Sequence, residues 1–128
     1  MTTPDYQAKT LSPIIPIADM ERSIRFYVEV LGFHTAMQSA DYSILTRDGT
    51  ALHLTLAADA SVLEVTRKHM SFYLKICGIE ALWRHVSAFK DRHQIRDLSD
   101  RDYGMREFHI LDPDGCLIFV GEPPPKTA

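Results

Sequence analysis

LSPIIPIADMERSIRFYVEVLG, residues 11–32, reads as an extended strand followed by an amphipathic helix, and the chain spells that pair a second time. The second copy is MSFYLKICG, residues 70–78, followed by IEALWRHVSAFK, residues 79–90. Each pair leads on to strands bounded by an Asp-Gly turn: RDGTALHLTLA at 47–57 in the first pass, DPDGCLIFVGE at 112–122 in the second. Module 1 over residues 11–57 and module 2 over residues 70–121 therefore each describe a βαβββ unit. Such a unit is a small sheet with a helix on one face, and two of them must be joined along a seam. The expectation is an α+β fold of two curved mixed sheets around a cleft, filling residues 1–128 as a single domain. A cleft between curved sheets is where a small molecule binds.

The first helix has clear ends. Asp19 caps it, Glu21 sits in its first turn, and Gly32 stands where left-handed backbone is usual. Its apolar stripe is Met20, Ile24, Tyr27, Val28 and Leu31, and the second helix repeats the spacing with Ile79, Leu82, Trp83, Val86 and Phe89. Strand alternation then assigns the faces. Ile15, Ile17, Leu52, Leu54, Leu56, Phe72, Leu74, Ile76, Phe108, Ile110, Ile118 and Val120 face the helices. The opposite, open faces carry Ser12, Ile14 and His53 in module 1, and Ser71, Tyr73, Lys75, Glu107, His109, Leu117 and Phe119 in module 2. Asp48-Gly49 predicts a two-residue hairpin, and Asp112 to Gly115 a type I turn followed by a glycine bulge. Residues 57–69 and 91–105 read as polar loops, the second with a short strand around Ile95 to Leu98. The tail GEPPPKTA stops the last strand and is expected to be mobile.

Composition narrows the function. The chain has 128 residues, 45% of them hydrophobic, which suffices for one core but not for two domains. Its net charge of −3, with Lys and Arg scattered, lacks the basic stripe of nucleic-acid binding. MTTPDYQAKT has neither the basic start nor the apolar run of a leader, and no stretch is long and apolar enough to cross a bilayer, so the expected address is cytoplasmic. Cys77 and Cys116 have no metal-type spacing and read as two buried, reduced thiols.

The segments PIADMERSIRFYVEVLGF, LTRDGTALHLTLA and YGMREFHILDPDGCLIFVGEP resemble the vicinal oxygen chelate superfamily, in its glyoxalase/bleomycin resistance branch. The resemblance implies the paired βαβββ fold of glyoxalases, bleomycin resistance proteins and dihydroxybiphenyl dioxygenases. It also implies a homodimer whose cavities lie within the curved sheets, often at the subunit boundary. Catalytic relatives hold a divalent ion with His, Gln or Glu at four strand positions. By register those positions are Ser12, His53, Ser71 and Phe119 here, and only His53 is a credible ligand. No cofactor is expected on that count. His69, two residues before Ser71, reads as a strand-entry histidine.

Two further readings rest on the polar face. Glu107 and His109 share one strand face, and with His53 across the cleft they form a displaced two-histidine, one-carboxylate site for a divalent metal. That set makes the alternative function a metal-dependent glyoxalase-type lyase, isomerase or dioxygenase. Without a metal the same groups suit acid and base roles, although no phosphate loop, nucleophile elbow or activated cysteine accompanies them.

The binding reading uses every group present. Tyr73, Leu117 and Phe119 offer an apolar, planar floor, with His53, Ser71, Lys75, Glu107 and His109 around it. A planar or aromatic ligand fits such a cleft, and antibiotic sequestration is the role the resemblance implies. The competing explanation for the aromatic face is packing against a partner subunit. The mild net charge and Lys75 argue against a trap built for a strongly cationic glycopeptide.

Overall fold

The computed structural model describes residues 2–125, so the end of the expected mobile tail, residues 126–128, lies outside the described residues. Module 1 comprises β1 (Ile14–Ile17), α1 (Met20–Glu29), β2 (His34–Gln38), β3 (Tyr42–Arg47) and β4 (Thr50–Leu56). A helix, α2 (Ala60–His69), links it to module 2: β5 (Ser71–Lys75), α3 (Ile79–Ser87), β6 (Ile95–Asp100), β7 (Arg106–Leu111) and β8 (Leu117–Glu122). The sheets repeat one topology, β1-β4-β3-β2 and β5-β8-β7-β6, each with a parallel first pair and antiparallel neighbours. The fold class is α+β, as the repetition predicts.

Local chemistry sets the elements. The Asp19 carboxylate accepts the Arg22 N–H at 3.1 Å and starts α1. Asp48 and Gly49 both have positive φ, which is the backbone a tight primed hairpin needs. The Gly115 N–H donates to the Asp112 carbonyl at 3.0 Å, closing the expected turn before β8.

A single core joins the modules. Ile15, Ile17, Leu52 and Leu54 of the first sheet belong to the same buried cluster as Phe108, Ile110, Ile118 and Val120 of the second, with Tyr27 and Val86 from the helices between them. The helix sides of both sheets thus turn inward, and the open faces turn away from the core. The second module's turn also ties the modules together. Asp114 accepts the Ala18 N–H at 3.2 Å and the Arg22 guanidinium at 2.9 Å, while Tyr27 donates to Asp112 at 2.8 Å.

Four sequence expectations need correction. Residues 60–69 are helical rather than a loop, and His69 ends that helix instead of entering β5. Val28 is 37% exposed, and Phe26 takes its place in the core because α1 is packed by the second module as well as by its own sheet. Leu56, the last residue of β4, is exposed although its register partner Ile17 is buried. Cys77 is exposed beyond β5, whereas Cys116 is buried.

Candidate functional site

The open face of the second sheet gathers seven of the eight cleft residues. Strand register aligns Tyr73 with Phe119, Phe119 with His109, and His109 with Arg96, so one straight row crosses all four strands. The Tyr73 and Phe119 rings lie nearly parallel, 8° apart in plane with centroids 6.2 Å apart, and His109 meets Phe119 edge-on at 4.5 Å. Offset parallel and edge-on pairs are the favoured aromatic geometries. Leu117 and Ser71 form the adjoining row, and Lys75, Gly121, Glu107 and Ser99 the row on the other side.

Glu107 is the unusual group. It is 1% exposed and, with His109, is buried on a sheet face where Ser71, Tyr73 and Lys75 are exposed. Tyr73 donates to its Oε2 at 2.6 Å, Tyr103 donates to Oε1 at 2.5 Å, and His109 Nε2 lies 3.0 Å from Oε1. An ionised carboxylate only accepts, so the His109 Nε2 carries the proton of that bond. Burial pushes the Glu107 carboxyl up, but the bonds from His109, Tyr103 and Tyr73 outweigh it and hold the group below its ordinary range. Its tyrosine partners move the other way. Burial, then the bond to Glu107, raises Tyr73, while the Glu107 bond leads the rise at Tyr103. Neither Lys75 nor Arg106 bonds to Glu107 among the described residues, and Arg106 turns instead to Glu80 and Asp100.

Tyr73 reaches Glu107 only because β8 has no side chain at Gly121. A Cβ there would overlap the Tyr73 hydroxyl. Gly in a strand interior marks close approach of this kind. That signal was available in FVGEP, and with it the sequence reading misses Tyr103, Arg96 and Tyr42. Those three are invisible to it because a loop residue, an irregular edge strand and a neighbouring strand supply them.

His53 is placed apart from the other seven residues. It sits on β4 of the first sheet, opposite Ile44 and Ile14, with its Nδ1 2.6 Å from the Tyr42 hydroxyl. No bond of Glu107 or His109 reaches it. The displaced His53, Glu107 and His109 set is thus not assembled within one chain, and among the described residues no three His, Cys, Asp or Glu side chains are grouped to hold a metal ion. The family's four strand positions supply one imidazole, two neutral hydroxyls and a phenyl ring, from Ser12, His53, Ser71 and Phe119. That donor set does not fit a divalent ion.

Two hollows adjoin these faces. One of 390 Å³ lies at the end of the aromatic row, lined by Gln94, Arg96, His109, Leu111 and Leu117 among others. A larger one of 670 Å³ lies in the seam between modules, against Phe33, Arg47, Leu74, Cys77 and His85, and of the cleft residues touches only Lys75. Of the two, the smaller hollow is the one that meets the aromatic row, at His109 and Arg96.

Comparison with known proteins agrees with this architecture. Residues 9–120 match the family model described as Glyoxalase/Bleomycin resistance protein/Dioxygenase superfamily. A bleomycin resistance protein of Geobacillus stearothermophilus is 27% identical over 119 residues, spanning 83% of this chain and 90% of that protein. The crystal structure of the bleomycin-binding protein of Streptomyces verticillus complexed with copper(II)-bleomycin superposes with a TM-score of 0.75 at 17% identity, covering 94% of this chain and 100% of the other. A glyoxalase-related enzyme from Clostridium phytofermentans gives 0.71 at 21% identity, covering 93% and 98%. At those identities the two structures speak for the fold alone.

Proposed function

The chain belongs to the Glyoxalase/Bleomycin resistance protein/Dioxygenase superfamily, and from that premise we propose that it binds and sequesters a planar or aromatic small molecule without a metal. The observation that carries this reading is the parallel Tyr73 and Phe119 pair on an open sheet face, with Tyr73 45% exposed. Apolar planar surface left in water is costly unless something covers it. A flat ligand laid on Phe119 gains stacking area, and the His109 edge fixes its lateral position.

The second wall of the cleft comes from another copy of the chain. Within one chain the open faces turn away from the shared core, so His53 and Tyr42 of one protomer meet the Tyr73 and Phe119 face of its partner in a homodimer. Ile14, exposed on the first sheet's open face, is the apolar contact such a pairing uses. Among the described residues no helix is long and apolar enough to cross a membrane. The free thiols of Cys77 and Cys116 suit a reducing, cytoplasmic setting.

Bleomycin, bound by the Streptomyces verticillus protein, is the first ligand to try. Titration calorimetry with bleomycin and with simple planar aromatics tests the reading directly, using Phe119→Ala as the control. A ligand held equally well by the variant means that the aromatic row is not the site. The bonded Glu107 and His109 pair keeps a second reading open, in which a partner's imidazole completes a metal centre for glyoxalase-type chemistry. Native mass spectrometry separates the two, because that reading requires about one divalent ion per site that His109→Ala abolishes.

A further inference from the structure

The charge of the ligand follows from how the open face is wired. A carboxylate in a cleft ordinarily selects a cation, but both Glu107 oxygens are engaged by Tyr73, Tyr103 and His109, and its side chain is wholly covered. What the row offers instead is at its other end. His109 Nδ1 has no hydrogen bond among the described residues, and since no buried side-chain nitrogen or oxygen there lacks a partner, Nδ1 is reached by solvent. Beside it stands Arg96, exposed, in register with His109 and in no ion pair among the described residues. Both line the 390 Å³ hollow where the aromatic row ends. Two further cations stand away from the row's end: Lys75, one row away beside Gly121, and Arg101, 5.9 Å from the centroid of the Tyr103 ring.

We propose that the ligand is a planar aromatic anion, its ring on Phe119 and Tyr73 and its acidic oxygens, carboxylate or phenolate, at Arg96 and His109 Nδ1. This rests on the reading of the aromatic row as a ligand platform, and adds which end is polar and of which sign. A guanidinium presents paired donors to a carboxylate, and a bond between charged partners is about twice as strong as a neutral one. Glu107 then acts behind the site. By accepting from Nε2 it orients the imidazole with Nδ1 toward the ligand; Nδ1 takes up a proton from water as a carboxylate binds, or from the ligand's own hydroxyl where that arrives as a phenol, and the imidazolium then donates to the ligand and stands between two anions. A cationic ligand finds no free carboxylate on this row and meets Arg96 at its end.

The test uses two probes of one shape and opposite charge, 2-naphthoate and naphthalene-2-carboxamidine, titrated into the full chain. The expected result is tighter binding of naphthoate, reduced about tenfold by Arg96→Gln with the amidine unaffected or improved. Arg96 is an exposed residue of a sheet-edge strand, so thermal melting of the variant is expected to match the parent. Arg96→Lys is expected to restore part of the preference, because it returns the charge without the fork. Equal or tighter binding of the amidine overturns the charge assignment while leaving the platform standing. Binding of neither probe, or binding of both unchanged by Phe119→Ala, overturns the platform itself.

Discussion

The Tyr27 hydroxyl donates to the Asp112 carboxylate at 2.8 Å inside the core, linking the helix of the first module to the turn of the second across 85 residues of sequence. Asp112 is otherwise occupied by the Asp114 and Cys116 N–H groups, each at 2.9 Å to its other oxygen. Tyr27 is its only link to module 1 among these bonds. Tyr27→Phe leaves a buried carboxylate oxygen unpaired, and the expected cost is about 1–3 kcal/mol in urea unfolding. Ligand affinity is expected to hold, since Tyr27 faces the core and not the open sheets. A variant as stable as the parent would show that this bond adds nothing to the apolar packing and the Asp114 bonds that also join the modules.

Gly121 is the second place where one position controls another. Replacing it with Ala pushes the Tyr73 ring off its path over β8, breaking the bond to Glu107 and unstacking Phe119. Tyr73 is half exposed and swings outward without crowding the core, so the expected loss is again about 1–3 kcal/mol rather than unfolding. A double-mutant cycle checks the cause: in a Tyr73→Ala background, Gly121→Ala should cost much less. Additive costs mean that the glycine matters for β8 itself.

The difference between what the chain discloses and what it conceals follows from range. Period, caps and Asp-Gly turns act over a few residues, and they yield both modules, the helix ends and the facing of Ile15, Leu54, Phe108 and Ile118. Helix α2 escapes because its apolar stripe is weak and only Thr66 is buried along it, although Asp59 caps Ser61 at 2.9 Å as a cap should. The candidate site is legible face by face, because alternation is local, but not as an assembly. His53 and Glu107 share the polar phase of their strands, yet the common core turns their sheets outward, a consequence of tertiary packing that no local pattern encodes.

That outward arrangement predicts a stable dimer. Sedimentation at micromolar concentration should give twice the chain mass, and Ile14→Glu, which sets a charge on the exposed end of β1, should shift the protein toward monomer. If the partner's first sheet closes the cleft, ligand affinity must fall in the same variant and in proportion to the monomer fraction. A parent protein that sediments as a monomer yet binds its ligand removes the partner from the site.

Acid stability reports on Glu107. Its carboxyl is held below the ordinary range in the folded state, so between the folded and unfolded values the unfolded chain binds more protons. The stabilisation from ionised Glu107 is therefore complete above the unfolded value, about 4.3, and is lost as pH falls through the lower folded one. Asp112 has the opposite sign: burial raises it, so its share is present at acid pH and fades as pH rises through its folded value. Glu107→Gln cannot lose a charge on acidification, and its melting temperature should fall less steeply below about pH 4.3 than that of the parent. The amide cannot accept at both ends, so the variant starts from a lower melting temperature at neutral pH and the two curves converge in acid. Parallel curves would mean that the tyrosines and His109 do not hold the carboxylate ionised.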